Sequence, residues 1–192
     1  MWWSPVNPRD DALLPNGTFK NKIHITDQKE LQELEYRVTK LKYRTIPNYT
    51  ITDIDALKKI HEWLFGDLYP WAGQYRTINL SKGATSFMPY ELFHEAIPYL
   101  NKQIKNLNTT NYPSARLFAT DLGQLLTDIN HFHPFREGNG RTQRLFITLL
   151  AIQSGYEMHF AQSSPAYDLY MKASIEDSAE LMAKAVLDSL KI

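Results

Sequence analysis

The residues best equipped for chemistry lie together in His131-Phe132-His133-Pro134-Phe135-Arg136-Glu137-Gly138-Asn139-Gly140-Arg141-Thr142-Gln143-Arg144. Pro134 disfavours helical geometry at the residue before it, so a helix arriving from upstream must end near His133. Gly138-Asn139-Gly140 reads as a tight turn opening the next helix, whose first backbone N–H groups have no intrahelical partner and form a ready site for phosphate. Arg141 and Arg144 fall three apart and occupy neighbouring positions on one helical face. Cations at a helix N-terminus oppose the macrodipole by about 0.3–1 kcal/mol each. That placement makes sense when an anion lies between them and the turn. Glu137 is a hard oxygen ligand suited to Mg²⁺, which binds through one or two carboxylates plus phosphate oxygens. His133 can take a proton near neutral pH and so activate an attacking hydroxyl. One loop supplies a base, a metal carboxylate, an amide nest and two guanidiniums, a set suited to phosphoryl or nucleotidyl transfer.

Taken singly, each residue has a plainer explanation. A lone histidine after a helix is more often structural, a glutamate a surface charge, and paired arginines a solvated face. The combination changes the odds. Matching His-Pro-Phe-x-x-Gly-Asn-Gly-Arg-x-x-Arg by chance has a probability on the order of 10⁻¹⁰ per position at roughly 5% usage per residue type. Phe135 is assigned to the core as an anchor for the loop. His61 reads as helix packing or capping, and His131 and His133, two apart, are a poor metal pair. His24, His94 and His159 have no recognisable partner, and Trp63 and Trp71 read as core.

The elements that must position this loop are mostly helical. The pattern predicts a first helix from an N-cap at Thr26 to about Tyr43, with Leu31, Leu34, Val38 and Leu41 on one face. Thr52 with Asp55 suggests the start of a second, stopped at Gly66. Between Gln74 and Met88 the pattern becomes extended, with a turn at Ser81-Lys82-Gly83, and predicts a short hairpin or flap that must lean on helices or on a ligand. Further helices are predicted at Glu91–Leu107, kinked or restarted at Pro98, at Ala115–His131, and at Asn139–Ser154, closed by Gly155. One or two short helices follow over Ala166–Leu190. Residues 1–25 read as an irregular arm and 26–192 as one all-α domain with a single small hairpin.

Composition excludes several classes. The 192 residues carry 21 Lys+Arg and 21 Asp+Glu, so the chain lacks the broad positive field of a nucleic-acid or anionic-membrane binder. Cysteine is absent, which removes disulfide scaffolds, Cys-based zinc sites and thiol nucleophiles. No apolar run is long enough to span a membrane, and the expectation is a soluble cytoplasmic protein.

The segment His133–Arg144 resembles the signature of the Fic family, His-x-Phe-x-(Asp/Glu)-Gly-Asn-Gly-Arg-x-x-Arg, at every specified position. Similarity extends to Leu64–Gln74, to Asn79-Leu80-Ser81-Lys82-Gly83 and to the arm Leu14–Lys22. The resemblance implies a Fic-type helical bundle that transfers AMP from ATP to a Ser, Thr or Tyr hydroxyl of a target protein, releasing pyrophosphate. It implies His133 as the base and Glu137 as the ligand of the Mg²⁺ that bridges the α- and β-phosphates. It further implies an anion hole at Gly138, Asn139 and Gly140, with Arg141 on the β-phosphate and Arg144 on the γ-phosphate. The hairpin, with Leu80, Ser81, Lys82, Gly83 and Phe87, would be the flap that docks the target as an added strand.

Many Fic proteins carry a self-inhibitory Ser/Thr-x-x-x-Glu-(Gly/Asn) helix whose glutamate pairs with the second motif arginine, here Arg144. Glu176 and Glu180 lack the Ser or Thr, and Thr26 with Glu30 is followed by Leu31, so the expected brake is a small antitoxin-like partner acting in trans. Gly140 and Gly138 argue against the phosphorylating and phosphocholine-transferring branches, whereas UMP or GMP transfer stays open. A catalytically silent nucleotide-binding module is the alternative from another class.

Overall fold

The computed structural model describes residues 12–83 and 85–191; the first eleven residues of the expected arm lie outside the described residues. Residues 12–25 are irregular but tied down. Leu13 bridges Phe19, Lys22 N–H donates to the Leu68 carbonyl, and the Phe19 ring meets Tyr69 and Trp71.

Helix α1, Gln28–Arg44, begins one residue later than the Thr26 cap predicts, because the Asp27 carboxylate accepts from Glu30 N–H at 2.8 Å. Helix α2 is Ala56–Phe65. The expected Thr52/Asp55 capping pair does not form: Thr52 bonds Asp53, and Asp55 accepts from the Tyr75 hydroxyl. Strands β1, Ser81–Lys82, and β2, Thr85–Ser86, make the expected hairpin. Its turn lies beyond Lys82 rather than at Ser81-Lys82-Gly83, since Ser81 and Lys82 pair with Ser86 and Thr85. A 3₁₀ turn at Tyr90–Leu92 leads into α3, Phe93–Thr109, which runs unbroken through Pro98 instead of restarting there. Helix α4 is Ala115–Phe132 and α5 is Asn139–Gln153, each close to its predicted span. The tail forms α6, Pro165–Glu176, and α7, Ala179–Ser189. A second strand pair, unforeseen from the sequence, joins β3, Glu157–Met158, to β4, Leu190–Lys191.

The architecture is a helical bundle around α4, whose Phe118, Leu122, Leu125, Leu126, Ile129 and Phe132 are buried. It packs against α3, α5 and α7, while α2 lies between α1 and α5. At Gly123 a Cβ would sit 2.5 Å from the Ala183 backbone, so the approach of α7 to α4 requires glycine there. The C-terminal end of α4 and the N-terminal end of α5 are thereby fixed on opposite sides of the 133–138 loop. Among the described residues no helix is long and apolar enough to cross a membrane.

Candidate active site

His133 caps α4 in the left-handed region at φ 42°, a departure that leaves the helix abruptly before Pro134. Its Nδ1 lies 3.2 Å from the Asn130 carbonyl. A carbonyl only accepts, so Nδ1 carries the proton and Nε2 holds the lone pair. Burial, reinforced by the charges of Arg76 and Lys82, lowers its pKa to about 3 against a weaker opposing pull from the Asn130 carbonyl. The imidazole stacks on Phe87 at 3.6 Å and 11°, so the flap covers one of its faces. Leu80 and Phe87 are buried, whereas Ser81, Lys82 and Gly83 are exposed.

The turn is shorter than the sequence suggests: Gly138 alone precedes α5, and Asn139 and Gly140 already belong to it. Gly138 has φ 79°, and a Cβ there would lie 2.3 Å from the Phe65 ring. Both conditions demand glycine. The Asn139 side chain faces backwards, accepting from Phe135 N–H at 2.8 Å and donating to the Phe135 carbonyl at 2.7 Å. It shapes the loop and leaves only its backbone for an anion. Helix α5 has no side-chain cap, which keeps its first-turn amides available.

His61 is fully buried beneath this loop. Gly73 N–H donates to its Nδ1 at 2.9 Å, so Nε2 bears the proton and donates to the Glu137 carbonyl at 3.0 Å. It stacks on Phe135 at 3.9 Å, which is buried as expected. Burial lowers the His61 pKa to about 4. The packing role read from sequence holds, with a specific duty added: it fixes the loop from below.

Glu137 uses Oε1 to accept from Gly138 N–H at 2.9 Å, and the same oxygen lies 3.8 Å from Arg141 Nη2. Burial holds its carboxyl above the usual carboxylate range, and Glu35 adds to the rise. Among the described residues no group of three or more His, Asp or Glu side chains could hold a metal by itself. One carboxylate beside an amide nest fits a cation carried mainly by phosphate oxygens.

The two motif arginines are treated differently. Arg141 is ion-paired with Glu35 of α1 and donates to Thr39 Oγ1 at 3.2 Å, and Glu35 also accepts from the Tyr69 hydroxyl. Arg144 has no carboxylate within ion-pair distance among the described residues. It lies over the rings of Tyr167 and Tyr170 and contacts the Tyr170 hydroxyl at 3.4 Å. Both arginines line a pocket of about 210 Å³ with Tyr36, Lys40, Arg44 and Phe160. Glu35, Arg76 and His61 were not assigned to the site from the sequence. Glu35 had one local signal, a carboxylate sharing the apolar face of Leu31 and Val38.

A sequence profile of the Fic/DOC family matches residues 51–151. Protein adenylyltransferase VbhT of Bartonella schoenbuchensis is 34% identical over 145 residues, 74% of this chain and 30% of that protein's length. The probable protein adenylyltransferase y4lH of Sinorhizobium fredii is 33% identical over 184 residues, 93% of this chain and 95% of that one. Among solved structures, the N-terminal Fic domain of a VirB-translocated Bep effector from Bartonella quintana, with bound ADP, superposes with TM-score 0.83 at 26% identity, covering 94% of each chain. With the profile spanning more than half of its length and y4lH matching nearly end to end, this chain belongs to the Fic/DOC family.

Proposed function

We propose that the chain transfers AMP from ATP to a Ser, Thr or Tyr hydroxyl of a target protein. In this reading His133 Nε2 takes the hydroxyl proton as the oxygen forms a bond to the α-phosphorus. The bond from that phosphorus to the α–β bridging oxygen breaks, and pyrophosphate leaves. The first-turn amides of Asn139 and Gly140, joined by the Gly138 amide once it releases Glu137 Oε1, hold the phosphate charge that grows during attack. Arg141 meets the β-phosphate, and Arg144 the γ-phosphate. Glu137 is the protein ligand of a Mg²⁺ ion that, when bound, neutralises charge on the α- and β-phosphates. The flap docks the target as a strand against β1 or β2, with Ser81, Lys82 and Gly83 on its exposed side.

The observation that carries this reading is the Nδ1–Asn130 contact of His133, which leaves the Nε2 lone pair open to a proton at the start of the loop that leads into an uncapped helix. Label transfer from α-³²P-ATP and γ-³²P-ATP in parallel, with Mg²⁺ and a cell lysate, tests it. Protein labelled by the α-phosphate alone, and not by the His133→Ala variant, is the expected result; the variant should keep its affinity for ATP. Labelling from the γ-phosphate, or undiminished labelling by His133→Ala, would falsify the reading.

Regulation in trans is favoured by one further observation. Arg144, held by aromatic faces rather than by a carboxylate, opens on a pocket that also contains Lys40, Arg44 and Arg141. A small antitoxin-like partner that offers a glutamate to Arg144 would fill it and displace the γ-phosphate. Co-purification with the neighbouring gene product tests this, and an isolated chain that is inert despite an intact site would count against it.

A further inference from the structure

Arg76 is a buried arginine whose hydrogen bonds all go to backbone carbonyls. Its Nε donates to the His133 carbonyl at 2.8 Å, Nη1 to Ile78 at 2.6 Å, and Nη2 to Met88 at 2.6 Å and, more weakly, to Phe132 at 3.5 Å. Ile78 stands on the irregular segment entering the flap, Met88 on the segment leaving it, and Phe132 and His133 at the end of α4. Two backbone bonds follow the same seam: Arg76 N–H to the Pro134 carbonyl at 2.8 Å and Met88 N–H to the His131 carbonyl at 3.0 Å. Among the described residues no carboxylate lies within ion-pair distance of this guanidinium. The guanidinium also lies over the Phe93 ring and feels the more distant Glu91 charge, but burying a permanent charge without a paired carboxylate is costly, and a surface hairpin of four paired residues does not need it.

We infer that Arg76 is a positioning residue for the transfer reaction: its guanidinium holds both legs of the flap and the His133 backbone as one unit, so the surface that receives the target strand and the base that receives its proton keep a fixed relation. The inference rests on the reading of His133 as the base. The left-handed backbone at His133, unusual for a residue with a side chain, is the conformation that turns its carbonyl to Arg76 Nε. The Phe87 ring completes the unit from the flap side by stacking on the imidazole. The groups that face that imidazole are Arg76 from the flap root, Lys82 and Phe87 from the flap, and the Asn130 carbonyl from α4. Lysine cannot reproduce the fork, since an ammonium is a point donor on a flexible stem.

The test uses the full chain with Arg76→Lys, which keeps the charge and loses the fork, and Arg76→Gln, which loses both. Hydrogen exchange at the amides of residue 76, Phe87 and Met88 needs neither target nor activity. In Arg76→Lys it should rise at least tenfold. The kcat for α-³²P label transfer should fall at least tenfold, while AMPPNP affinity stays within threefold, because the α5 N-terminus is untouched. Arg76→Gln, if folded, should also raise the midpoint of the His133 imidazole resonance towards its ordinary value, which Arg76→Lys should not. An Arg76→Lys variant with flap exchange and kcat within twofold of wild type overturns the inference. So does a loss of transfer with unchanged flap exchange, or an equal loss of AMPPNP binding. Failure of the base reading is distinct: His133→Ala would still label protein, and the exchange result would judge the clamp regardless.

Discussion

At the scale of single residues, the site depends on two imidazoles kept neutral by burial. The unfolded chain protonates them near pH 6.5, whereas His61 resists until about 4 and His133 until about 3. Below pH 6.5 the unfolded state therefore binds more protons, and stability falls as pH drops through that window towards 4 and then 3. Urea midpoints from pH 7.5 to 4 should decline, and His61→Gln, which cannot gain a charge, should flatten part of the decline. Gly138 is equally exposed to test. Its positive φ and the Phe65 ring 2.3 Å from any Cβ predict that Gly138→Ala costs about 2 kcal/mol or more and abolishes transfer. Thermal melts and label transfer measure the two effects, and a wild-type melt would contradict the packing argument.

Among the elements, α3 holds a proline its bundle does not use. Pro98 sits in the helix interior and deprives the His94 carbonyl of its donor. Pro98→Ala should raise stability by about 1 kcal/mol, the recovered hydrogen bond outweighing the greater freedom of the unfolded chain; a lower melting temperature would show that the ring itself is needed. Periodicity made α1 and α4 legible because each has an apolar stripe, α5 was marked by the Gly138 and Gly155 that bracket it, and the flap was legible as a break in the helical pattern. The pair β3–β4 was not, since two-residue strands carry no period. The candidate loop stood out in the sequence because its polar and charged groups are contiguous from His133 to Arg144. Arg76, His61 and Glu35 were hidden for a physical reason: their partners lie 57, 76 and 106 residues away in sequence. Spacing along a helix says which face is buried, not what is met there.

For the whole molecule, the tie between α1 and α5 is the decisive long-range contact at the site. Glu35→Gln would leave the Arg141 guanidinium only the more distant Glu137 carboxylate and weaken the bond from Tyr69, at a cost of about 2 kcal/mol once the partial exposure of Arg141 is considered. Chemical denaturation should report that loss, and an unchanged midpoint would remove the pair from the fold's support. The same tie bears on the order in which the protein is made. Contacts separated by so much chain form late, after the entropy of closing the intervening loop has been overcome. A ribosome must deliver α5 before Arg141 can reach Glu35, so a nascent chain ending within α4 carries the flap and His61 but no nucleotide-binding face. The groups proposed for transfer are complete only with α5, within the last third of the polypeptide, and a product terminated within α4 lacks both Arg141 and Arg144.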